Sequence, residues 1–452
     1  MTDEILELIE KKEFKKLKEV LASMLVPDIA SVLEEIKDKA SVVIVFRLLP
    51  KDLSAEVFSY ISSDNQEIVA NYLSNSELSF IMEELATDDA VDFIEEMPSN
   101  IVRKVLKLAT PDTRKTINKF LSYEEDTAGA IMTAEFVQLD IDMTVDDAIE
   151  EVRKQGEEAE TINVLYVTDS KRVLKGVITI KELLLAKKKT KLEDLITDNL
   201  IVATTSMDQE KIATIFSKYD FLALPVVDKE NRIVGIVTVD DVIDVIREET
   251  TEDFERMAAI RPTDGPYLKS SVFEIWKNRI PWLLVLMISA TFTGLILNSY
   301  ESALSGISTA LVACVPMIMD TGGNAGAQVS VTVIRALAIG ELSTKDFLKV
   351  AWKEFRASIL LGLSLAVVCF GKLMLIDNLL FGFAGYTPIR CFVVSIALML
   401  TVVIAKFVGC MLPLLAKKCH LDPAVVASPF ITTIVDATSL ILYCMLAVSI
   451  LS

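Results

Sequence analysis

The sequence predicts a multidomain membrane protein: an N-terminal α-helical superhelix, a repeated α/β pair, a connecting helix and a transmembrane domain of five helices. Three observations predict this order. Short helical periods with capping residues occupy residues 1–128, an internal repeat occupies residues 129–250, and long apolar runs follow residue 280. A chain of 452 residues is long enough for several domains.

Charge separates the chain into two parts of different character. Residues 265–452 contain 13 Lys and Arg against 9 Asp and Glu, whereas residues 1–264 contain 32 against 55. The acidic pI of about 4.7 therefore describes the first part. Because a surplus of negative charge attracts cations and repels nucleic acid, we expect no nucleic-acid partner.

Residues 1–128 are predicted to form the N-terminal helical domain. MTDEILELIEKKEF is typical of an amphipathic helix and not of a secretion leader, so we expect the N-terminus in the cytoplasm. Ser63 and Gln66 have the spacing of a capping box, and Thr87 and Thr110 are predicted N-caps, the latter followed by Pro111.

Two segments of the next region are copies of each other. YVTDSKRVLKGVITIKELL (166–184) aligns without a gap with PVVDKENRIVGIVTVDDVI (225–243), 59 residues further on. Each copy predicts a strand, a polar turn, a strand containing a glycine, and a helix capped by threonine. This repeat resembles a tandem cystathionine-β-synthase (CBS) pair, with one copy over residues 129–190 and the other over residues 191–250.

The resemblance to CBS pairs implies a regulatory module that often binds an adenine nucleotide or a metal ion. Nucleotide-binding members commonly have Asp at a position where this chain has Asp241 in the second copy and Glu182 in the first. ATP at the CBS pair is therefore left open, and the pattern favours it in one half only.

The connecting helix is predicted over residues 251–279, and the transmembrane domain over residues 280–452. The loop after the first predicted span, NSYES, has no basic residue, whereas the following loop is basic. The positive-inside rule then places the N-terminal domains in the cytoplasm and the C-terminus outside a cell membrane (inner or plasma membrane). The candidate spans, of which the second contains Pro316 and is expected to be broken, are 281–298, 303–334, 354–376, 390–415 and 424–450.

Polar residues interrupt two of these spans. ACVPMIMDTGGNAGAQ contains Asp320, Asn324 and Gln328 on one helix face, and SPFITTIVDATSLILY contains Asp436 one turn after Thr432. A carboxylate at the bilayer centre costs about 2.5–3.5 kcal/mol, so such a group usually has a function. Oxygen ligands without thiolate or imidazole favour a hard cation such as Mg²⁺ or Ca²⁺. Alternatively, the glycines pack helices while Asp436 pairs with a buried lysine such as Lys406.

The two membrane motifs, MDTGGNAGAQ with VIRALAIGE and SPFITTIVDATSLILY, resemble those of the MgtE family of magnesium channels. The resemblance covers the whole chain in order, and it implies a homodimer in the lipid bilayer with a pore on its two-fold axis. Asp436 would hold Mg²⁺, and Ser439 stands where the family commonly has glycine. The residues that would line the pore are Pro316, Gly322, Gly323, Asn324, Thr432 and Thr433.

The family resemblance also implies that cytoplasmic acids sense Mg²⁺. Bound ions would draw the helical and CBS domains together and hold the connecting helix so that the pore stays shut. Asp241, Asp244, Glu248 and Glu252 fall within an arc of about 80° on one helix, as expected for such a surface. The positions that match the family's sensing acids are Glu56, Asp88, Asp92, Asp208, Glu210, Asp220, Asp241, Asp244, Glu249, Glu252 and Asp253.

Two other functions compete with a magnesium-gated channel. A proton- or sodium-coupled carrier for divalent cations, regulated by its CBS pair, would use Asp436 as the coupling carboxylate, but the spans show no inverted repeat. A membrane-bound enzyme would need a nucleophile, a base or a metal cluster, and the sequence has one histidine and no recognisable constellation. We therefore expect a protein that is not an enzyme.

Overall fold

The computed structural model describes residues 2–197, 199–262, 267–268, 270–426 and 428–451. The chain divides into two units, Met1–Ile246 and Arg247–Ser452. The first unit contains a helical domain and the repeated α/β pair, and the second contains the long apolar helices.

The helical domain is a series of short helices; α1 packs on α2, and from α2 onward each helix packs on the helix two places further along the chain. Helices α3, α5, α7 and α9 form one such series, and α4, α6, α8 and α10 form the other. This arrangement is the predicted superhelix. The helices are α1 (Thr2–Glu10), α2 (Phe14–Ala22), α3 (Val26–Glu35), α4 (Lys39–Leu48), α5 (Lys51–Tyr60), α6 (Ser63–Tyr72), α7 (Asn75–Glu84), α8 (Thr87–Glu96), α9 (Ser99–Leu108) and α10 (Pro111–Phe120).

Capping residues mark the boundaries of these helices at short intervals, although not every cap is the residue that was predicted. Thr110 caps α10 by accepting a hydrogen bond from the Thr113 amide at 3.2 Å, with Pro111 in the first position, which confirms that prediction. The capping box at Ser63 was wrong, because α6 has Ser62 as its N-cap. The buried Gln66 side chain instead donates to the Phe58 carbonyl oxygen at 2.9 Å.

The α/β pair repeats one topology, a parallel strand pair followed by an antiparallel partner. In each sheet the first strand is parallel to the second, and the second is antiparallel to the third. The first copy consists of β1 (Phe136–Asp140), α11 (Val145–Gln155), β2 (Thr161–Thr168), β3 (Leu174–Thr179) and α12 (Ile180–Leu185). The second consists of β4 (Ala203–Thr204), α13 (Gln209–Tyr219), β5 (Ala223–Val227), β6 (Ile233–Thr238) and α14 (Val239–Met257).

The glycines of the repeat occupy equivalent positions in the two sheets. Val167 pairs with Gly176 in the first copy, and Val226 pairs with Gly235 in the second. A Cβ atom on Gly176 would lie 2.5 Å from the Ile196 Cβ, and one on Gly235 would lie 2.7 Å from the Thr133 carbonyl oxygen. Both positions therefore require glycine because a neighbouring segment crosses the strand there.

The second unit is built around three long helices, α17, α19 and α20, which pack on one another. α18 packs on α19, and α15 packs on α20. The helices of this unit are α15 (Val272–Ile307), α16 (Thr309–Ala313), α17 (Val315–Ala338), α18 (Phe347–Gly371) with its π-helical continuation Lys372–Leu380, α19 (Pro388–Lys418) and α20 (Ser428–Leu451).

The described residues contain four helices that are long and apolar enough to cross a membrane, and not five. The predicted second span, 303–334, consists of the end of α15, the short α16 and the more polar α17. Extended backbone at Ser308 and a first-turn proline, Pro316, produce the breaks. The candidate spans are Val272–Ile307, Thr344–Leu380, Pro388–Lys418 and Pro429–Leu451.

The connecting segment predicted over residues 251–279 does not form one helix. α14 ends at Met257, and α15 already begins at Val272. Residues 263–266 and 269 lie outside the described residues. With 36 residues, α15 is about 54 Å long and exceeds the hydrocarbon thickness of a bilayer, so it combines the end of the connector with the first span.

Candidate functional site

Three glycines bring the backbones of α17 and α19 into contact and let side chains of α20 pack closely on α17. The Gly326 carbonyl oxygen lies only 2.3 Å from the position that a Cβ on Gly409 would take. A Cβ on Gly326 would lie 3.2 Å from the Ala405 carbonyl oxygen, and one on Gly322 would lie 2.7 Å from the Thr401 Cγ2. A larger side chain would force the helices apart, so these glycines set the geometry in which α20 presents its polar residues to α17.

Asp436 lies against α17 at Gly323. A Cβ on Gly323 would be 3.3 Å from the Thr432 Cγ2 and 3.5 Å from the Asp436 Oδ1. The Thr432 and Thr433 hydroxyls donate to the Pro429 carbonyl oxygen at 2.9 and 3.0 Å. Because a hydroxyl that donates retains its lone pairs, both oxygens can still accept a hydrogen bond or bind a cation.

The face of α17 beside this carboxylate is polar and exposed in the single chain. Pro316, Asp320, Asn324 and Gln328 follow one another at intervals of four residues, and all four are exposed, whereas the adjacent Gly323 is buried. Asp320 is close enough to interact electrostatically with Asp436. A carboxylate and two amides facing lipid would be costly, so this face indicates contact with water or with another protein surface.

Lys406 does not pair with Asp436. Its Nζ lies 3.5 Å from the Glu354 Oε2 of α18, and the lysine residue is only 7% exposed. The alternative in which Lys406 neutralises Asp436 is therefore wrong. Glu354 forms this ion pair because α18 packs on α19, and the Asp436 charge has to be balanced in another way.

Ser439 fills the place at which α20 meets Gly322. The residue is 1% exposed, and its Oγ would lie 3.0 Å from a Cβ on Gly322. Serine is therefore accommodated here because the opposing residue on α17 has no side chain. The Ser439 hydroxyl has no hydrogen-bond partner within the described residues, and neither has the neighbouring Thr401 hydroxyl.

A second group of carboxylates lies where α8 approaches the start of α14 in the first unit. In five of its six members the charge of another member raises the side-chain pKa, and the sixth, Asp240, has this effect on Asp89, Glu160 and Asp241. We call this group the acidic cluster; it consists of Asp88, Asp89, Asp92, Glu160, Asp240 and Asp241.

Desolvation and mutual repulsion raise the pKa values in the acidic cluster. Burial, and then the charges of Asp241 and Asp89, raise the pKa of Asp88 well above its ordinary value. The same causes raise the pKa of Asp92 to about 7, although its side chain keeps solvent access, and that of Glu160 to about 7. Burial raises the pKa of Asp241 to about 6 against the opposing effect of the Thr238 hydrogen bond. The cluster is thus a place where a bound cation would relieve repulsion.

Comparisons with known proteins cover the whole of this architecture. A family model described as a divalent cation transporter matches residues 315–446, a model of the MgtE intracellular N domain matches residues 24–126, and CBS domain models match residues 128–189 and 192–248. The magnesium transporter MgtE of Thermus thermophilus is 36% identical over 440 residues, which are 97% of this chain and 95% of that protein.

The chain belongs to the MgtE family.

Other MgtE proteins and structures agree with this membership. The magnesium transporter MgtE of Bacillus subtilis is 32% identical and covers 92% of both chains. A crystal structure of the cytosolic domain of the Mg²⁺ channel MgtE in complex with ATP covers 54% of this chain and all of that chain, with a TM-score of 0.52 and 35% identity. A structure of the soluble part of a magnesium transporter covers 55% of this chain and 97% of that chain, with a TM-score of 0.51 and 31% identity.

Membership in the MgtE family confirms several expectations from the sequence. The predicted classes of domain, a helical domain, a CBS pair and a membrane-spanning helical domain, are all present. The family consists of transporters and not of enzymes, and its CBS domains are regulatory, as predicted.

The structure places the remaining predicted sensing acids of this MgtE chain at three other locations. Glu56 of α5 and Asp244 of α14 both act electrostatically on Tyr60, as do Asp89 and Asp240 of the acidic cluster. Asp208 and Asp220 flank α13, where the Asp208 carboxylate accepts a hydrogen bond from the Glu210 amide at 3.0 Å.

Glu249, Glu252 and Asp253 lie on the last turns of α14, in the second unit. Arg256 forms ion pairs with Glu252 and with Asp422, which precedes α20. Burial, and then the charges of Asp422 and Glu249, raise the pKa of Asp253. These acids therefore belong to a network that includes a basic residue of the same helix.

Sequence reasoning missed four acids of the first unit: Asp89, Glu135, Glu160 and Asp240. Spacing on a single helix selects residues that share a face, and it could not show that α8, α14 and the first CBS copy meet. The runs Asp88-Asp89 and Asp240-Asp241 were the available signal, since each places two acids in the first turn of a helix. Within the described residues no three His, Cys, Asp or Glu side chains are grouped closely enough to hold one ion.

Proposed function

We propose that this protein is a Mg²⁺-selective channel of the cell membrane that takes up Mg²⁺ and is closed by cytoplasmic Mg²⁺. The observation that carries the proposal is the position of Asp436 against Gly323, where the glycine contacts of α17, α19 and α20 converge. Its relatives in Thermus thermophilus and Bacillus subtilis are named magnesium transporters, and this supports Mg²⁺ as the transported ion.

Two copies of the chain would complete the cation site. A single chain offers Asp436 with the Thr432 and Thr433 hydroxyls, which are too few ligands for an octahedral ion without water. Two carboxylates on a two-fold axis would match the charge of Mg²⁺, which keeps several of its waters because it dehydrates reluctantly. The exposed polar face of α17, with Pro316, Asn324 and the adjoining Gly322–Gly323, would form the wall of this pathway in a homodimer.

The transmembrane orientation follows from loop charge. Lys277 and Arg279 precede the first span, and Lys417 and Lys418 follow α19. We count α17, whose 24 residues are about 36 Å long, as a fifth crossing between α15 and α18. With these basic ends on the inner side, the helical domain and the CBS pair lie in the cytoplasm and the C-terminus lies outside. Lipid surrounds the exposed apolar side chains of α15 and α18.

The acidic cluster would close the pore when cytoplasmic Mg²⁺ is abundant. Without a cation, the six acids at this junction repel one another, and this repulsion adds to burial in raising the pKa values of Asp88, Asp89, Asp92, Glu160 and Asp241. Mg²⁺ would bridge α8 and α14 and stabilise their contact, with hydration water completing its coordination. The last turns of α14, with Glu249, Glu252 and Asp253, would transmit this state to the segment that leads into α15.

An adenine nucleotide at the CBS pair is a second regulatory ligand that we propose. The ATP complex of the similar cytosolic domain supports it. Asp241 and Glu182 hold equivalent places in the two copies, and each side chain accepts a hydrogen bond from the threonine three residues earlier. Isothermal titration of ATP into wild type, Asp241→Asn and Glu182→Gln would test whether one half binds: loss only with Asp241→Asn is expected, and loss only with Glu182→Gln would contradict it.

Flux measurements on the purified protein in liposomes test the proposed function. A series of divalent ions is offered on one side while Mg²⁺ on the cytoplasmic side is varied independently. We expect Mg²⁺ flux at low cytoplasmic Mg²⁺, closure at millimolar Mg²⁺, and no dependence on a proton or sodium gradient. Saturable flux that follows such a gradient would instead establish the ion-coupled carrier.

A further inference from the structure

The first turn of α8 is capped by a residue from another domain. Thr87 was predicted to be the N-cap, but α8 begins at Thr87, and the preceding Ala86 has no side chain that can cap. The Glu135 carboxylate fills this role, because it accepts hydrogen bonds from the Thr87 amide at 3.1 Å and from the Thr87 hydroxyl at 2.6 Å. Glu135 lies 48 residues further along the chain, immediately before β1 of the first CBS copy.

The other hydrogen bonds of Glu135 fix it within its own domain. The Thr133 hydroxyl donates to the Glu135 Oε2 at 2.5 Å, and the Ala134 amide donates to the same oxygen at 3.0 Å. Thr87 and Thr133 are 6% and 0% exposed. A carboxylate has about four acceptor sites, so four donors occupy Glu135 fully. It is therefore a contact that needs no metal ion, unlike the acids of the acidic cluster.

The location of this contact connects it to the acidic cluster. Asp88 and Asp89 follow Thr87 directly, so the contact fixes the backbone of the turn that carries them against the CBS pair. A negative charge at a helix N-terminus and hydrogen bonds to a charged group are both stabilising, more so when they are buried. A domain contact of this kind stabilises any state in which α8 lies on the CBS pair, whether or not Mg²⁺ is bound.

We propose that Glu135 is a positioning residue that docks α8 onto the CBS pair and thereby sets the Mg²⁺ concentration at which the channel closes. This inference rests on the proposed closure by cytoplasmic Mg²⁺. The contact supplies part of the free energy of the closed arrangement, and Mg²⁺ in the acidic cluster supplies the remainder. When the contact is weakened, more Mg²⁺ is needed to reach the same closed fraction.

The test uses the full-length protein in liposomes and measures two quantities, the cytoplasmic Mg²⁺ concentration for half-closure and the flux at low Mg²⁺. Glu135→Gln replaces one acceptor oxygen by a donor that faces other donors, and Thr87→Val removes the hydroxyl while it keeps the shape. We expect both variants to raise the half-closing concentration by roughly tenfold, since one buried hydrogen bond to a charged group is worth about that factor. Flux at low Mg²⁺ should not change.

Thr87→Ser is the conservative control, because it keeps the hydroxyl. Its half-closing Mg²⁺ concentration should equal that of wild type. A merely structural role would lower thermal stability in all variants without this pattern. An unchanged half-closing concentration in Thr87→Val and Glu135→Gln would overturn the inference, as would an equal shift in Thr87→Ser. If wild type itself does not close with Mg²⁺, the proposed function fails, which is a different outcome from the failure of this inference.

Discussion

Lys406 of α19 is paired with Glu354 of α18, and not with Asp436 of α20. The Lys406 Nζ and the Glu354 Oε2 are 3.5 Å apart, with both side chains largely buried. The pair therefore joins two helices of the membrane unit and leaves Asp436 available for a cation.

The first prediction concerns this ion pair. Removing one partner of a buried pair leaves an uncompensated charge and typically costs about 3–5 kcal/mol. Lys406→Met should therefore lower the melting temperature of the detergent-solubilised protein markedly, and adding Glu354→Gln should recover a large part of the loss. A single variant as stable as wild type would show that the pair is not made.

The second prediction concerns the contact between Gly326 and Gly409. An alanine at 409 would place its Cβ 2.3 Å from the Gly326 carbonyl oxygen, so α17 and α19 would have to separate. Gly409→Ala should destabilise the protein by about 1–3 kcal/mol or more and reduce Mg²⁺ flux. Gly294→Ala is the matched control, because a Cβ at residue 294 would have no neighbour within 4 Å. Equal melting temperatures for the two variants would contradict the packing described.

Much of this site could be predicted from the sequence because it depends on local periodicity. Asp320, Asn324 and Gln328 lie on one exposed face of α17 as their spacing predicted, and the 59-residue repeat predicted the strand, turn, strand and helix of each CBS copy. The partners of Lys406 and Thr87 could not be predicted, since Glu354 and Glu135 lie about fifty residues away along the chain. Such contacts depend on which elements the fold brings together, and a single sequence does not contain that information in any local pattern.

The third prediction is a pH dependence of the acidic cluster. Because the folded state raises the pKa values of Asp92 and Glu160 to about 7 and of Asp241 to about 6, it binds more protons than the unfolded state at neutral pH. Without Mg²⁺, stability should therefore rise as the pH is lowered from 8 through 6, and this gain should flatten as the ordinary carboxylate pKa is approached. Thermal unfolding in a chelator at several pH values measures it.

The control for the pH dependence removes the same charges. Asp92→Asn with Asp241→Asn should flatten the profile, whereas Asp112→Asn, an exposed acid on α10, should leave its slope unchanged. A wild-type protein that loses stability between pH 8 and pH 6 would contradict the proposed repulsion.

The fourth prediction concerns closure by Mg²⁺. Neutralising Asp88, Asp92, Asp241 and Asp244 together as Asn should leave the channel open at millimolar cytoplasmic Mg²⁺, because the bridging ligands are gone. Replacing four exposed acids of the first two helices, Glu4, Glu7, Glu10 and Glu19, by Gln removes the same charge and should leave closure intact. Normal closure of the first variant in liposomes would refute the sensing mechanism.

The central claim, that Asp436 holds the permeating ion, is tested most directly by Mg²⁺ flux through Asp436→Asn and Asp436→Ala in liposomes. The matched control is Asp377→Asn, another carboxylate of the membrane unit, which pairs with Lys372 at 2.6 Å. Size-exclusion chromatography establishes that each variant is folded and has the oligomeric state of wild type. We predict that both Asp436 variants abolish Mg²⁺ flux while Asp377→Asn retains it. Undiminished flux through a folded Asp436→Ala protein would contradict the claim.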